Sequence, residues 1–459
     1  MQRILVVLPF YGGSLPIGRY CASALRETGC LVETFEAPSF YSAFTAVKGL
    51  KVSIERQEYL ENSFLQVVTQ SVLALVERFE PDLVLSLAQA PLSRQGLTKL
   101  RKDGVATAMW FVEDCRLFTY WRAFAPLYDF FAVIQKEPFL SELKSIGVEN
   151  ALYLPLAALP ELHRPLTWTK EAAPDKDSPK GGAGPDATRP DATRPGATGL
   201  GEADRLRFGA DFSFMGAGYP NRRLAFRRLA DLADRNGLDF RIWGTEWEGE
   251  PQLEKHLRMK GVRISPEEAV RIFNAAKINL NLHSSVRPEE TVSHGDFVNP
   301  RAFEIAACGA FQLVDERGLL PELFAPDELA TFGSLDELPE KIEYYLHRPE
   351  EREAISRKGR ERVLAEHTYQ RRMQSLLDFI GERRPGWPPS RQSGAGGDWP
   401  EDLPPELRER LEKLGRDLQL PARPDFESVI AALRARSGRL DSLECALLFL
   451  DEWRKQYLK

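Results

Sequence analysis

Short apolar runs alternate with amphipathic helical stretches along most of this chain, and that alternation restricts the folds open to it. Residues 4–8, 31–35, 83–87, 106–112, 128–134 and 152–154 are strand-like, with helical patterns between them. One such pattern spans residues 16–27, and another places Phe64, Val68, Val72, Leu75 and Phe79 on a single face. Strands that are apolar throughout, and that are separated by helices, predict a parallel sheet covered on both sides. The alternation resumes at residues 211–215, 239–243, 277–282, 310–314 and 329–332. Helical stretches at 221–236, 266–276, 300–308, 335–347 and 349–380 accompany this second set. Two Rossmann-like α/β domains are therefore expected, with ligands in the cleft between the carboxyl ends of the two sheets.

The segment between the two halves differs in composition. Pro185-Asp186-Ala187-Thr188-Arg189 recurs as residues 190–194, with a degraded third copy after it. Such a stretch offers almost no large apolar side chains to offset the entropy of ordering, and a disordered insertion is expected. The predicted organisation is an N-terminal acceptor domain at 1–165, a linker at 166–208 and a donor domain at 209–384. A second linker at 385–405 and a helical extension at 406–459 complete it. About fifty residues make a small independent core. The extension is expected to dock on a protein partner or on the body of the chain.

Composition excludes several classes. The formal charge of −6 in 459 residues gives no basic excess for nucleic acid. The apolar run at the start stops at Pro9, too short for a secretion signal, and no segment approaches a membrane span. Five cysteines without a Cys-x-x-Cys pair predict reduced thiols and a reducing cytoplasm, either soluble or peripheral at the inner face of the membrane. No histidine–carboxylate cluster has ligand spacing, so no metal is expected.

Four stretches carry candidate chemistry. Tyr11-Gly12-Gly13 follows the first strand; Gly12 and Gly13 either let backbone approach a ligand or form a plain tight turn. Glu113 and Asp114 end another strand, either as the general base of an inverting transfer or as acid caps for the next segment. Gly216, ahead of Asn221-Arg222-Arg223, either cradles a diphosphate with Arg222 and Arg223 or forms a glycine turn beside solvated arginines. In the stretch 294–311, Asn299 suits a helix N-cap and Pro300 its first position. Arg301 and Glu304 share a face there, where the carboxylate either accepts both hydroxyls of a ribose or forms a simple ion pair with Arg301. His283 and His294 flank the preceding polar loop. Trp110, Trp121, Trp243 and Trp247 suit stacking on a base or sugar, or core packing.

These stretches resemble the spore-maturation CgeB-type group of GT-B glycosyltransferases. The residues that carry the resemblance are Gly216 with Asn221-Arg222-Arg223, then Asn299, Arg301, Phe303, Glu304, Ala306 and Gly309, and the tail through His367–Arg372. It covers residues 211–380 well and the first 160 more loosely. The resemblance implies that Glu304 holds the donor ribose and that Asp296, eight residues earlier, lies near the sugar hydroxyls. It implies that Arg301 and Arg222 face the phosphates. The expected activity is transfer of a hexose from a UDP- or GDP-linked sugar to a hydroxyl of a surface glycan or protein, with no cofactor besides that co-substrate. Epimerisation of a nucleotide sugar, or a catalytically silent nucleotide-sugar-binding scaffold, are the competing readings.

Overall fold

The computed structural model describes residues 2–168, 199–259, 261–285, 296–389 and 403–457, less 419, 421–423, 425 and 437. The core of the expected insertion, 169–198, lies outside the described residues, as do His294 and most of the second expected linker. The chain divides into two compact units, the first comprising residues 1–111, 123–132 and 373–459. The second comprises residues 112–122 and 133–372.

The strands fall where the apolar runs predict them. β1 (Arg3–Val7), β2 (Leu31–Phe35), β3 (Leu83–Leu87), β4 (Ala106–Phe111), β5 (Phe130–Val133) and β6 (Ala151–Tyr153) form one six-stranded sheet, ordered β2-β1-β3-β4-β5-β6. β1 runs parallel to both β2 and β3, and β3 runs parallel to β4. Every residue of β3 and β4 is buried, the mark of a sheet covered on both faces. The helix Ile54–Phe79 starts earlier than its apolar stripe, because Ser53 caps it by accepting from Arg56 N–H.

A two-residue pair, β7 (Thr167–Trp168) with β8 (Gly199–Leu200), precedes the second sheet. That sheet contains β9 (Ala210–Met215), β10 (Phe240–Trp243), β11 (Leu257–Arg258), β12 (Ala276–Asn281), β13 (Gln312–Asp315) and β14 (Ala330–Phe332). Its order is β11-β10-β9-β12-β13-β14, with parallel pairing at every junction. β11 went unpredicted because two residues carry no periodicity. Phe212, Phe226, Phe240 and Leu313 build the core between this sheet and its helices.

The expected helix over 349–380 is two helices, Pro349–Glu366 and Tyr369–Arg383. The break falls where the main chain is recruited elsewhere: Ala158 donates to His367 O and accepts from Tyr369 N–H. The four tryptophans singled out above are core residues, from 0 to 3% exposed. Cys21, Cys30 and Cys308 are buried free thiols, Cys115 is half-buried and Cys445 exposed. The C-terminal helices Pro405–Asp417, Phe426–Ala435 and Ser442–Tyr457 share a small core of Leu414, Val429, Ile430, Leu433 and Leu447. No helix among the described residues is long and apolar enough to cross a membrane.

Glycines let the turns after β9 and β10 interlock. A Cβ on Gly218 would lie 2.2 Å from Glu246 O, and one on Gly244 would lie 2.5 Å from Gly216 O. Gly244 also has φ of +119°, which L side chains avoid. Gly244→Ala is expected to destabilise the protein by about 1–3 kcal/mol, seen as a lowered urea midpoint. An unchanged midpoint would show that the two turns separate freely.

Candidate donor site

In the second sheet β9 is flanked by β10 on one side and β12 on the other, so the strand order reverses between β9 and β12. Open parallel sheets bind ligands outside the carboxyl ends of the strands at such a point. The turn after β9 and the loop after β12 both end there.

The first turn of the helix Pro220–Asn236 closes this crevice. Asn221 donates to His283 O at 2.8 Å and accepts from Ser285 N–H at 2.9 Å. Arg222 donates through Nε and Nη2 to Leu282 O, at 2.9 and 2.7 Å, and through Nη1 to Ala217 O at 2.9 Å. Burial lowers its pKa to about 10, which leaves it a cation at neutral pH. Arg223 donates to the carbonyls of Gly218, Glu246 and Glu248. Both guanidinium groups are therefore committed to main-chain carbonyls. Nor is the glycine turn a free cradle: Gly216 N–H goes to Trp243 O, Gly218 N–H to Thr245 O and Tyr219 N–H to Ala217 O. For Gly216, Arg222 and Arg223 the geometry is that of a fold clamp rather than of an open phosphate cradle.

Helix Pro300–Ala307 has the start its sequence dictates. Asn299 Oδ1 accepts from Ala302 N–H at 3.3 Å, and Pro300 occupies the first turn. Asn299 Nδ2 donates to Asn281 on β12 at 2.7 Å; Asn281 donates to Gln312 on β13, which donates to Ala302 O. The cap is thus bolted to two strands. Arg301 and Glu304 pair at 2.7 Å, with Arg301 one-third exposed and Glu304 almost buried. Arg301 Nε is buried and has no hydrogen-bond partner among the described residues.

Under this helix start lies an ionic cluster that the sequence did not announce. Asp315, at the end of β13, receives His283 Nδ1–H at 2.6 Å, and His283 Nε2 accepts from Asn299 N–H at 2.9 Å. Arg317 bridges Asp315 and Asp296, pairing with the latter at 3.3 Å. Asp296 also accepts from Phe297 N–H at 2.8 Å and Gly318 N–H at 2.7 Å. All four side chains of this cluster are at most 5% exposed. Burial alone would raise the Asp315 pKa, but His283 and Arg317 pull it down to about 2. Burial lowers the His283 pKa, so the ring is neutral, in the tautomer its two bonds require. Asp296 is an anchor for the segment entering the helix.

Asp114 Oδ1 accepts from Arg116 N–H at 2.9 Å within a turn at 115–117 and caps no helix, and Glu113 accepts from Tyr120 hydroxyl at 3.0 Å. Gly13 is the N-cap of helix Ser14–Glu27 in the first unit, and Gly12 has φ of +101°. Sequence reasoning missed His163, Asp315 and Arg317. Only the run Val314-Asp315-Glu316-Arg317 at a strand end hinted at the last two.

Residues 222–378, which include the capped helix and the ionic cluster, match the family model described as glycosyl transferase-like. Spore protein CgeB from Bacillus subtilis (strain 168) is 22% identical over 289 residues, 61% of this chain and 77% of that protein. The CgeB-type resemblance seen in the sequence is therefore borne out. Among solved structures, sucrose-phosphate synthase from Thermosynechococcus elongatus aligns with a TM-score of 0.52 at 12% identity, covering 83% of this chain and 99% of that one. HepE from Anabaena in complex with UDP-glucose aligns with a TM-score of 0.52 at 11% identity, covering 83% and 100%. The fold is GT-B, as the resemblance implied, with the two Rossmann-like halves that the alternation predicted.

Proposed function

We propose that this chain transfers a hexosyl group from a UDP- or GDP-linked sugar to a hydroxyl of a glycan or protein acceptor, without a bound metal. The observation that carries the reading is the Arg301–Glu304 pair on a rigidly capped helix at the switch point of the second sheet. The helix N-terminus and Arg301 supply positive potential for the diphosphate leaving group. Glu304 supplies carboxylate oxygens for the ribose hydroxyls. HepE was solved with UDP-glucose, which supports a nucleotide-sugar donor here. Acceptor binding falls to the first domain, with Gly12 and Gly13, and Glu113 or Asp114 would serve as base if the reaction inverts.

Calorimetry against UDP, GDP, ADP and CMP tests this. One nucleotide is expected to bind, and Glu304→Ala is expected to weaken it at least tenfold, the loss of a charge-assisted hydrogen bond or two. Binding of none would sink the proposal. A second reading, binding without turnover, is favoured by the commitment of Asp296 to Arg317 and two backbone donors. Slow hydrolysis of the bound donor without acceptor distinguishes an enzyme from a sensor.

A further inference from the structure

The segment that leaves β6 packs behind the Pro300–Ala307 helix. Leu166 N–H donates to Asn274 Oδ1 at 2.9 Å, and Asn274 Nδ2 donates to Arg164 O at 3.1 Å. Leu162 and Leu166 pack on Ile305 and Cys308, on the helix that bears Glu304. Upstream, Ala158 forms an isolated parallel bridge with Thr368. Anchored at both ends, this segment delivers His163, 2% exposed, to the carboxylate of Glu304. His163 Nδ1 accepts from Leu159 N–H at 3.0 Å. In the neutral ring the proton is therefore on Nε2, which stands 3.9 Å from Glu304 Oε1. The other carboxylate oxygen, Oε2, is held by Arg301.

We propose that His163 is a positioning residue for Glu304: its neutral imidazole presents an N–H to Oε1 and fixes the carboxylate plane on which donor recognition depends. The inference rests on the donor-site reading above. The 3.9 Å separation exceeds a hydrogen bond, so the ring acts as an oriented dipole and a steric backstop. Such a dipole counts for more where water is largely excluded than it would at a surface. Glu304 is thereby held by a cation on its own helix and faced, at 3.9 Å, by a neutral imidazole from a segment about 140 residues earlier in the chain.

The test is a double-mutant cycle on the full chain, His163→Phe with Glu304→Gln, read both by melting temperature without ligand and by affinity for UDP and GDP. His163→Phe keeps the bulk and removes the N–H, and is expected to weaken nucleotide binding by about three- to tenfold. His163→Gln, which restores an N–H donor, should recover most of that loss. The melting temperatures should be non-additive. Additive melting shifts, or a Gln variant as weak as Phe, would overturn the inference, since a packing role needs neither coupling nor a donor. Wild-type protein that binds no nucleotide would refute the donor-site reading instead, and the melting cycle would still decide the role of His163.

Discussion

Replacing Arg317 with methionine is expected to cost about 3–5 kcal/mol of stability. The reason is the asymmetry of buried ion pairs. Assembling such a cluster gains little net energy, because desolvation offsets attraction, but removing one member strands the others. Arg317 is the cation shared by Asp315 and Asp296, and all three are almost fully buried. Without it, among the described residues, Asp315 keeps the ring and the main-chain N–H of His283, and Asp296 keeps two backbone donors. Methionine preserves length and apolar bulk, so the loss reports charge rather than packing. Arg317→Lys should recover only part of it, since one ammonium cannot reproduce the forked contacts to two carboxylates. Urea unfolding of the three proteins measures this. Equal midpoints for Met and wild type would mean that the cluster does not hold the loop.

Acidification is expected to have the second large effect, beginning well above the range of ordinary carboxylates. His163, His283 and His367 are buried neutral rings, and burial is the main force lowering each pKa, that of His367 to about 4. Each uses one ring nitrogen as an acceptor: from Leu159 N–H, from Asn299 N–H and from Arg372 Nη2 respectively. Protonation abolishes those acceptors. The sign follows from linkage. In the unfolded chain these histidines protonate near pH 6.5, and in the folded chain they resist until lower pH. Their contribution is therefore complete above about pH 6.5 and is lost as pH falls toward the folded values. Each contributes a slope of up to about 1.4 kcal/mol per pH unit. Asp315 adds a separate loss below about pH 4, because its folded pKa of about 2 is depressed. Melting temperature measured from pH 8 to pH 3 should fall in two stages, the first between pH 6.5 and 4. A flat profile down to pH 4.5 would refute the neutral-histidine assignment.

How much of the site was legible follows from the distances along the chain. The pairing of Arg301 with Glu304 spans three residues, and the cap from Asn299 to Ala302 spans three, so helical geometry fixes both before any tertiary contact forms. The four tryptophans and the strand cores were legible as apolar, although only burial decides between stacking and packing. By contrast, Asp296 meets Arg317 across 21 residues and His163 meets Glu304 across 141. No periodicity connects such positions.

Arg222 and Arg223 show the same limit from the other side. A sequence reveals two cations after a glycine turn, a pattern that suits phosphate. It cannot reveal that the loops after β9, β10 and β12 leave carbonyls within their reach, which the guanidinium donors satisfy first. Local order is set by the chain's own spacing: apolar runs for strands, a cap and a proline for the helix start, a three-residue interval for one ion pair. The tertiary structure alone decided which polar groups are buried together, and burial makes an unpaired charge costly. That cost accounts for two arginines acting as clamps and for the tie between Asp296 and Arg317, while the segment after β6 brings a histidine to the carboxylate of the helix Pro300–Ala307.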